Sequence, residues 1–479
     1  MRIPEIGLSR QDVFKRLKSF KGKDLDWQSG RMFGYVFDPG AEVRDLAKEA
    51  YGLFLSENAL DFTVFPSLRR LENELVAMGA YHLNGDENVV GNFTSGGTES
   101  IMLAVKTARD YFRMKKPDID IPEMILPTTA HAAFHKAAHY LDVKIVQVPV
   151  QADTFRADIS KIEAAISPRT ILLVGSAPSY AHGVIDPIVE IGQLALRHDL
   201  LFHVDACMGG FLLPYFRRLG EKVPDFDFSV PGVTSISMDL HKYAYTPKGA
   251  SLILYRKKDL RKHQIFACAR WIGYSVVNNS IQSTKSGGPM AAAWAVLHFI
   301  GEQGYLEIAE KKLRATKLIA KGIEEINDLR LMVKPDMCLV AFTSDHINVF
   351  HIIDEMNSRG WYIQPALSYD NSKENIHLSI NASNVTWVEP FLKDLRECVQ
   401  SAKHLKSEDL LSEMGDDFLK ELSDLDNEAF PEILKIVGIN GDELPDRMAG
   451  INGILNALPP ELREKLLIEF VNELFILKQ

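Results

Sequence analysis

Apolar positions along the chain change their spacing several times, and each change predicts an element. Residues 42–54 and 68–83 carry apolar side chains at helical spacing, the second run preceded by Pro66-Ser67 as a start signal. From Gly91 to about Arg256, helical stretches alternate with short apolar runs such as Ile145-Val146-Gln147-Val148, Ile171-Leu172-Leu173-Val174 and Ser251-Leu252-Ile253-Leu254-Tyr255. That alternation predicts a largely parallel sheet between layers of helices. Gly287-Gly288-Pro289 breaks the chain before a helical run from Met290 to Gly301, the expected way out of a large domain. From about Tyr305 to Ala402 helix and strand patterns recur on a smaller scale, as for a small α/β domain. Residues 407–432 are dominated by acids, opposed only by Lys420. They read as a solvated helical tail, with a docking surface for a basic partner as the sharper alternative. Amphipathic spacing returns from Met448 to Leu477 through Leu455, Leu458, Leu462, Leu466 and Phe470. The expected organisation is an amino-terminal arm over residues 1–60, a large domain over 61–300, a small one over 301–402 and an acidic helical tail over 403–479.

Composition narrows the class. A chain of 479 residues with 46% hydrophobic positions exceeds one ordinary domain and can bury a sizeable core. A formal net charge of −10 argues against nucleic acid or an anionic membrane as a bulk partner, and leaves a locally basic pocket open. Cys207, Cys268, Cys338 and Cys398 are widely spaced, which predicts reduced thiols in a cytoplasm. No stretch approaches the roughly 18 consecutive apolar residues of a membrane span. Residues 1–23 are polar and mixed in charge, unlike a signal peptide, so neither a membrane span nor export by that route is expected.

Three segments carry chemistry. Ser235-Ile236-Ser237-Met238-Asp239-Leu240-His241-Lys242-Tyr243 ends an apolar strand with a His-Lys pair suited to an aldehyde cofactor, and Lys242 is the candidate Schiff-base lysine. Leu201-Phe202-His203-Val204-Asp205 reads as a buried strand with an acid at its C-terminal end, where open α/β sheets place their ligands. Pyridoxal 5′-phosphate (PLP) requires such an acid against its ring nitrogen. In Thr94-Ser95-Gly96-Gly97-Thr98-Glu99-Ser100, two glycines and hydroxyl side chains at a helix start form a cup for a phosphate. Lys, acid and cup in one chain predict a PLP enzyme.

The segments TSGGTES, HAAFHKAAHY, GSAPSYAHGVIDP, HVDACMGGF and GVTSISMDLHKYAYTPKGAS resemble those of sphingosine-1-phosphate lyases and their bacterial relatives, within the group II, fold-type I PLP decarboxylases. The resemblance keeps one order from about Tyr51 to about Val399. It implies an α/β fold whose large domain holds a mostly parallel seven-stranded sheet between helices, followed by a smaller C-terminal α/β domain. It also implies a homodimer with shared active sites and a phosphorylated amino-alcohol lipid as substrate. Eukaryotic members carry an amino-terminal membrane helix, so the chain resembles their soluble catalytic part. By this resemblance His131 stacks on the cofactor ring, His241 and more weakly Ser237 hold its phosphate, and Lys248 lies near the reacting atoms. His203, on the same face of its strand as Asp205, either orients that carboxylate or contacts the substrate, or simply packs beside it. His182, Lys285 and Asn58 are the substrate candidates.

The chain also departs from the family. Lyases of this group carry a Tyr-Ala-Ser-Pro-Thr stretch followed by Arg-Pro-Gly-Gly, where this chain has Val276-Val277-Asn278-Asn279-Ser280 and Lys285-Ser286-Gly287-Gly288. Val276 cannot transfer a proton, and Lys285 lacks the bidentate geometry of arginine. Three readings follow: a lyase of phosphorylated sphingoid bases, a PLP decarboxylase or aldolase with another substrate, and a weakly active PLP-binding homologue.

Overall fold

Strand-forming and helical runs become elements much where their spacing changes. The computed structural model of the protein describes residues 2–405 and 445–476. Helices α1 (Arg10–Phe20), α2 (Ala41–Leu53) and α3 (Pro66–His82) precede the sheet, and Pro66 occupies the first turn of α3, where a missing N–H costs nothing. The large sheet contains β1 (Val90–Thr94), β2 (Glu123–Pro127), β3 (Lys144–Val148), β4 (Thr170–Ser176), β5 (Leu201–Asp205), β6 (Ser235–Asp239) and β7 (Ser251–Tyr255). Their spatial order is β1-β7-β6-β5-β4-β2-β3.

Strands β3, β2, β4, β5 and β6 run parallel, whereas β7 is antiparallel to both β6 and β1. The reason lies in the connections. A parallel return needs a crossover of a dozen or more residues. The crossovers contain α4 (Gly97–Lys115), α5 (Ala133–Leu141), α6 (Ile159–Ala165), α7 (Ile188–His198) and α8 (Leu213–Arg218). Residues 240–250 join β6 to β7 without a helix, so the chain turns straight back, and Lys242 lies in that turn. Every residue of β2, β4, β5, β6 and β7 is buried, which is why these strands read as continuous apolar runs.

After α9 (Lys258–Arg261), β8 (Phe266–Cys268) and β9 (Val276–Asn278) form a separate hairpin. The helix expected from Met290 to Gly301 is the first part of a longer one. Helix α10 (Gly288–Glu324) kinks at Gly301, whose φ of 63° and ψ of 171° are open to glycine alone. Its first part packs Ala292 and Val296 on Val43 and Ala47 of α2. A four-stranded antiparallel sheet follows, with β10 (Arg330–Leu331), β11 (Leu339–Thr343), β12 (Gln364–Ala366) and β13 (Asn375–Ser379) in the order β10-β11-β13-β12. Two further helices accompany it, α11 (Val349–Ser358) and α12 (Val388–Ala402).

The amphipathic run near the C-terminus is two helices, α13 (Ala449–Ala457) and α14 (Pro460–Leu474). They part at Leu458, held extended by Pro459 after it. Asp354 of α11 caps α13 by accepting from the Met448 and Ala449 N–H groups at 2.9 and 3.0 Å. The acidic run at 407–432 lies outside the described residues. Among the described residues no helix is long and apolar enough to cross a membrane.

Candidate active site

Strands β5 and β6 end side by side, with Asp205 opposite Ser237, and the two strand ends meet the N-terminus of α4. A cavity of about 350 Å³ opens there, walled by Gly96, Gly97, Thr98, His131, Asp205 and Lys242 among others. A hydroxyl chain fixes the start of α4 to the sheet: Thr94 Oγ1 lies 2.6 Å from Ser100 Oγ, which lies 2.9 Å from Ser251 Oγ on β7. Glu99 in the first turn accepts from the Ser95 N–H and Oγ, both at 2.7 Å, and from the Ile281 N–H at 2.8 Å. Gly97 must be glycine, since a Cβ would stand 2.7 Å from Cys207 Sγ and 2.8 Å from Asp239 Oδ2. The unpaired N–H groups of that helix start line one end of the cavity, where an anion is favoured.

Lys242 Nζ lies 2.9 Å from Asp239 Oδ2, and His241 Nε2 lies 3.6 Å from the same oxygen. Burial works against the Lys242 charge, but the Asp239 carboxylate outweighs it and raises the ammonium pKa. Burial likewise opposes the Asp239 charge, and Lys242 with His241 overcomes it, holding the carboxyl below its ordinary range. Asp239 Oδ1 is buried and accepts no hydrogen bond among the described residues.

Asp205 is held from behind. Its Oδ1 accepts from the Cys207 N–H at 3.0 Å and from Ser237 Oγ at 3.4 Å, while Oδ2 takes part in no hydrogen bond among the described residues. Ser237 Oγ is 3.2 Å from His203 Nε2, and His203 Nδ1 is 2.9 Å from Ser235 Oγ. Burial lowers the His203 pKa to about 4, against the pull of Asp205, so the ring is neutral at physiological pH. His203 and Ser237 do not line the cavity. They sit one layer behind Asp205, in a chain of hydrogen bonds that ends on its Oδ1.

His131 stands at the cavity rim, its Nδ1 accepting from the Ala133 N–H at 3.1 Å and its ring edge-on to Tyr180 at 6.4 Å. The His241 Nδ1 accepts from the Ala250 N–H at 3.2 Å, which fixes the turn carrying Lys242. Lys248 Nζ lies 3.5 Å from the His241 carbonyl oxygen and 5.2 Å from the centre of the Phe37 ring. Desolvation and then the Lys242 charge lower its pKa to about 8.

Three expected substrate residues lie away from this cavity. His182 stacks on Phe155 with ring centres 3.9 Å apart and meets Ser372 Oγ at 3.0 Å, and burial lowers its pKa to about 4. Lys285 Nζ donates to Ser280 Oγ at 2.9 Å. Asn58 Oδ1 accepts from the Leu60 N–H at 3.0 Å, and Asn58 bridges to Ser286. Conversely, the cavity includes Asp239, Cys207 and Tyr180, which the sequence reading did not place there. Asp239 had a signal, since it is a charge ending a buried strand, as Asp205 is. Tyr180, whose phenol donates to Gln364 Oε1 at 2.5 Å, lies in the loop after β4, inside the segment GSAPSYAHGVIDP, from which the sequence reading took His182 instead.

These groups fit PLP: an acid with a free oxygen for the ring nitrogen, an amine for the aldehyde, an imidazole at the rim and a glycine-lined helix start for the phosphate. A second, largely apolar cavity of about 410 Å³ adjoins the first, with His241 in both walls. Val36, Phe37, Val43, Tyr51 and Pro247 line it, with Lys248.

Comparison with known proteins agrees with this arrangement. The profile of the pyridoxal-dependent decarboxylase conserved domain matches residues 9–345, and that of a C-terminal HTH domain of pyridoxal-dependent enzymes matches residues 408–473. The sphingosine-1-phosphate lyase of Arabidopsis thaliana is 45% identical over 400 residues, 82% of this chain and 72% of that one. An L-aspartate/L-glutamate decarboxylase of Pyrococcus horikoshii is 34% identical over 399 residues, 83% of this chain and 99% of that one. The solved sphingosine-1-phosphate lyase of Burkholderia pseudomallei superposes with a TM-score of 0.80 at 34% identity, covering 86% of this chain and 96% of that one. With its PLP site and fold accounted for, the chain belongs to the sphingosine-1-phosphate lyase family of the pyridoxal-dependent decarboxylases.

Proposed function

We propose that the enzyme cleaves the C2–C3 bond of sphingosine 1-phosphate, or of a related phosphorylated sphingoid base, to a long-chain aldehyde and ethanolamine phosphate. The observation that carries this reading is a pair of neighbouring cavities with His241 in the wall of both, one charged around Lys242 and one largely apolar beside Phe37. A substrate with a polar amino-alcohol head and a hydrocarbon tail suits both. Bound PLP supplies a sink for the electron pair left when a bond to the amine-bearing carbon breaks. Lys242 holds the cofactor, and Asp205 keeps the proton on its ring nitrogen. The neutral His203 acts through Ser237 to keep Asp205 in place without sharing its charge. Lys248 Nζ, neutral in part near pH 8, accepts the substrate hydroxyl proton as the C–C bond opens.

A homodimer belongs to this proposal. Asn58, Val276 and Lys285 lie outside the cavity of their own chain, and the β8–β9 hairpin exposes Phe266, Trp271, Ile272, Tyr274 and Val277. A second copy would cover this apolar surface and receive those residues at its own site. The four cysteines are free thiols, which supports a reducing, cytoplasmic setting.

Decarboxylation of an amino acid is the second reading, favoured by Val276 at the family tyrosine position and by the likeness to the archaeal decarboxylase over nearly its whole length. Incubation with sphingosine 1-phosphate, serine, glutamate and aromatic amino acids, followed by mass spectrometry, separates the two. A long-chain aldehyde with ethanolamine phosphate is the expected result. Carbon dioxide and an amine, with sphingosine 1-phosphate untouched, would replace the lyase by a decarboxylase.

A further inference from the structure

The turn that carries Lys242 is held from a side away from the cavity. Residues 240–250 lead from β6 back into β7, and Tyr245 among them has a φ of 59°, a conformation that a bulky residue keeps only where its surroundings hold it. Helix α10 supplies that hold through Tyr305 and Lys312, two turns apart on one face. The Tyr305 phenol donates to the Ala244 carbonyl oxygen at 2.8 Å. Lys312 Nζ lies over both rings that flank Ala244, 4.3 Å from the centre of Tyr243 and 5.1 Å from that of Tyr245. Tyr243 is fixed further, its phenol donating to the Ile380 carbonyl oxygen at 3.1 Å and its ring standing edge-on to Phe37 at 4.9 Å. Lys312 itself is buried, and no carboxylate pairs with it among the described residues. The titratable groups that face it are Tyr243 and Tyr245 from the turn and Cys338 just before β11.

We propose that Lys312 is a positioning residue for the cofactor lysine: its charge, set against the faces of Tyr243 and Tyr245, locks the strained turn and so fixes where Lys242 Nζ stands in the cavity. An ammonium buried without a counter-ion destabilises the fold, and an unbranched apolar side chain would fill the same space without that cost. Rules of this kind are broken chiefly at functional sites. What the charge adds is attraction to two ring faces, which is strengthened where water is excluded. It also sets a cation against the residue that follows Lys242, and a nearby cation disfavours the protonated form of a linkage between Lys242 and PLP. The inference rests on Lys242 carrying the cofactor, and it does not depend on which substrate is cleaved.

The test compares the full-length holoenzyme with Lys312→Met and Lys312→Arg by pH titration of the cofactor's visible absorbance and by hydrogen exchange of the peptide spanning residues 240–250. In Lys312→Met the absorbance midpoint should move to higher pH, and exchange over 240–250 should quicken by ~10-fold while it slows in the rest of the chain. Lys312→Arg keeps a cation over the rings and should return both readouts toward wild type. A residue that served packing alone would leave the midpoint in place and let the turn follow the rest of the chain. Either readout unmoved in Lys312→Met, or exchange that slows in the turn as it does elsewhere, would overturn the proposal. Borohydride mapping on the same wild-type sample separates the inference from its premise. An adduct on another lysine would remove both, whereas an adduct on Lys242 with unmoved readouts would remove the positioning role alone.

Discussion

Two lysines with lowered pKa values make separate predictions. As the proposed base, Lys248 would accept a proton only when neutral, so kcat should rise with pH through about 8, and Lys248→Met should lower kcat by ~10²–10⁴-fold and remove that rise. A pH–rate profile of both proteins checks this, and an unchanged ascending limb in the variant would assign it to another group. Lys312 is different. It is 1% exposed, has no carboxylate partner among the described residues, and lies 4.3 Å from the Tyr243 ring centre and 5.1 Å from that of Tyr245. Burial lowers its pKa to about 8 from an ordinary 10.5. Below pH 8 both folded and unfolded chains hold the proton, and the folded one bears the full cost of a buried charge. Between about 8 and 10.5 only the unfolded chain holds it, so stability should rise with pH across that window. Lys312→Met should stabilise the protein at pH 7 by about 1–3 kcal/mol, the relieved charge burial less the lost cation–π contacts, and should flatten the rise. Denaturant melts at pH 7 and 9 measure both effects. At this scale the sequence was informative where a residue's chemistry clashed with its surroundings. Asp205 and Lys242 stand out as charges at the ends of apolar strands. His182 could not be placed that way, because Gly183 turns the loop tightly against the Leu339 carbonyl and leaves the imidazole stacked on Phe155.

Elements were legible wherever burial imposed a period, and less so where a connection decided the outcome. Completely buried strands such as β4 and β5 announce themselves as apolar runs. The reversed direction of β7 follows instead from the shortness of residues 240–250, which no periodicity records. The same turn places Lys242, so the fold and the chemistry share one constraint. Gly301 likewise looked like a helix end and is a kink within α10. A Cβ there would meet no atom within 4 Å, so the only obstacle to substitution is the backbone conformation. Gly301→Ala and Gly301→Asn should both destabilise the protein by about 1–3 kcal/mol, since that region of φ and ψ admits asparagine no better than alanine. Thermal melts of the two variants would show it, and a wild-type transition in either would mean that α10 can straighten.

On the scale of the whole molecule, the proposed homodimer makes a prediction about the site. The cofactor-facing groups converge within a single cavity, yet Asn58, Val276 and Lys285 do not reach it. Sequence shows these residues and their departure from the family pattern, but it carries no direct record of the second copy proposed to receive them. Light scattering should therefore give twice the 53.8 kDa of one chain. A fully active monomer would contradict the shared-site reading. The most direct test of the central claim, that Lys242 carries the cofactor in the cavity between β5, β6 and α4, is borohydride reduction of the holoenzyme followed by intact-mass and peptide analysis. One PLP adduct per chain on the peptide containing Lys242, absent from Lys242→Ala, is the predicted result. An adduct mapped to Lys248 or to any other lysine would contradict it.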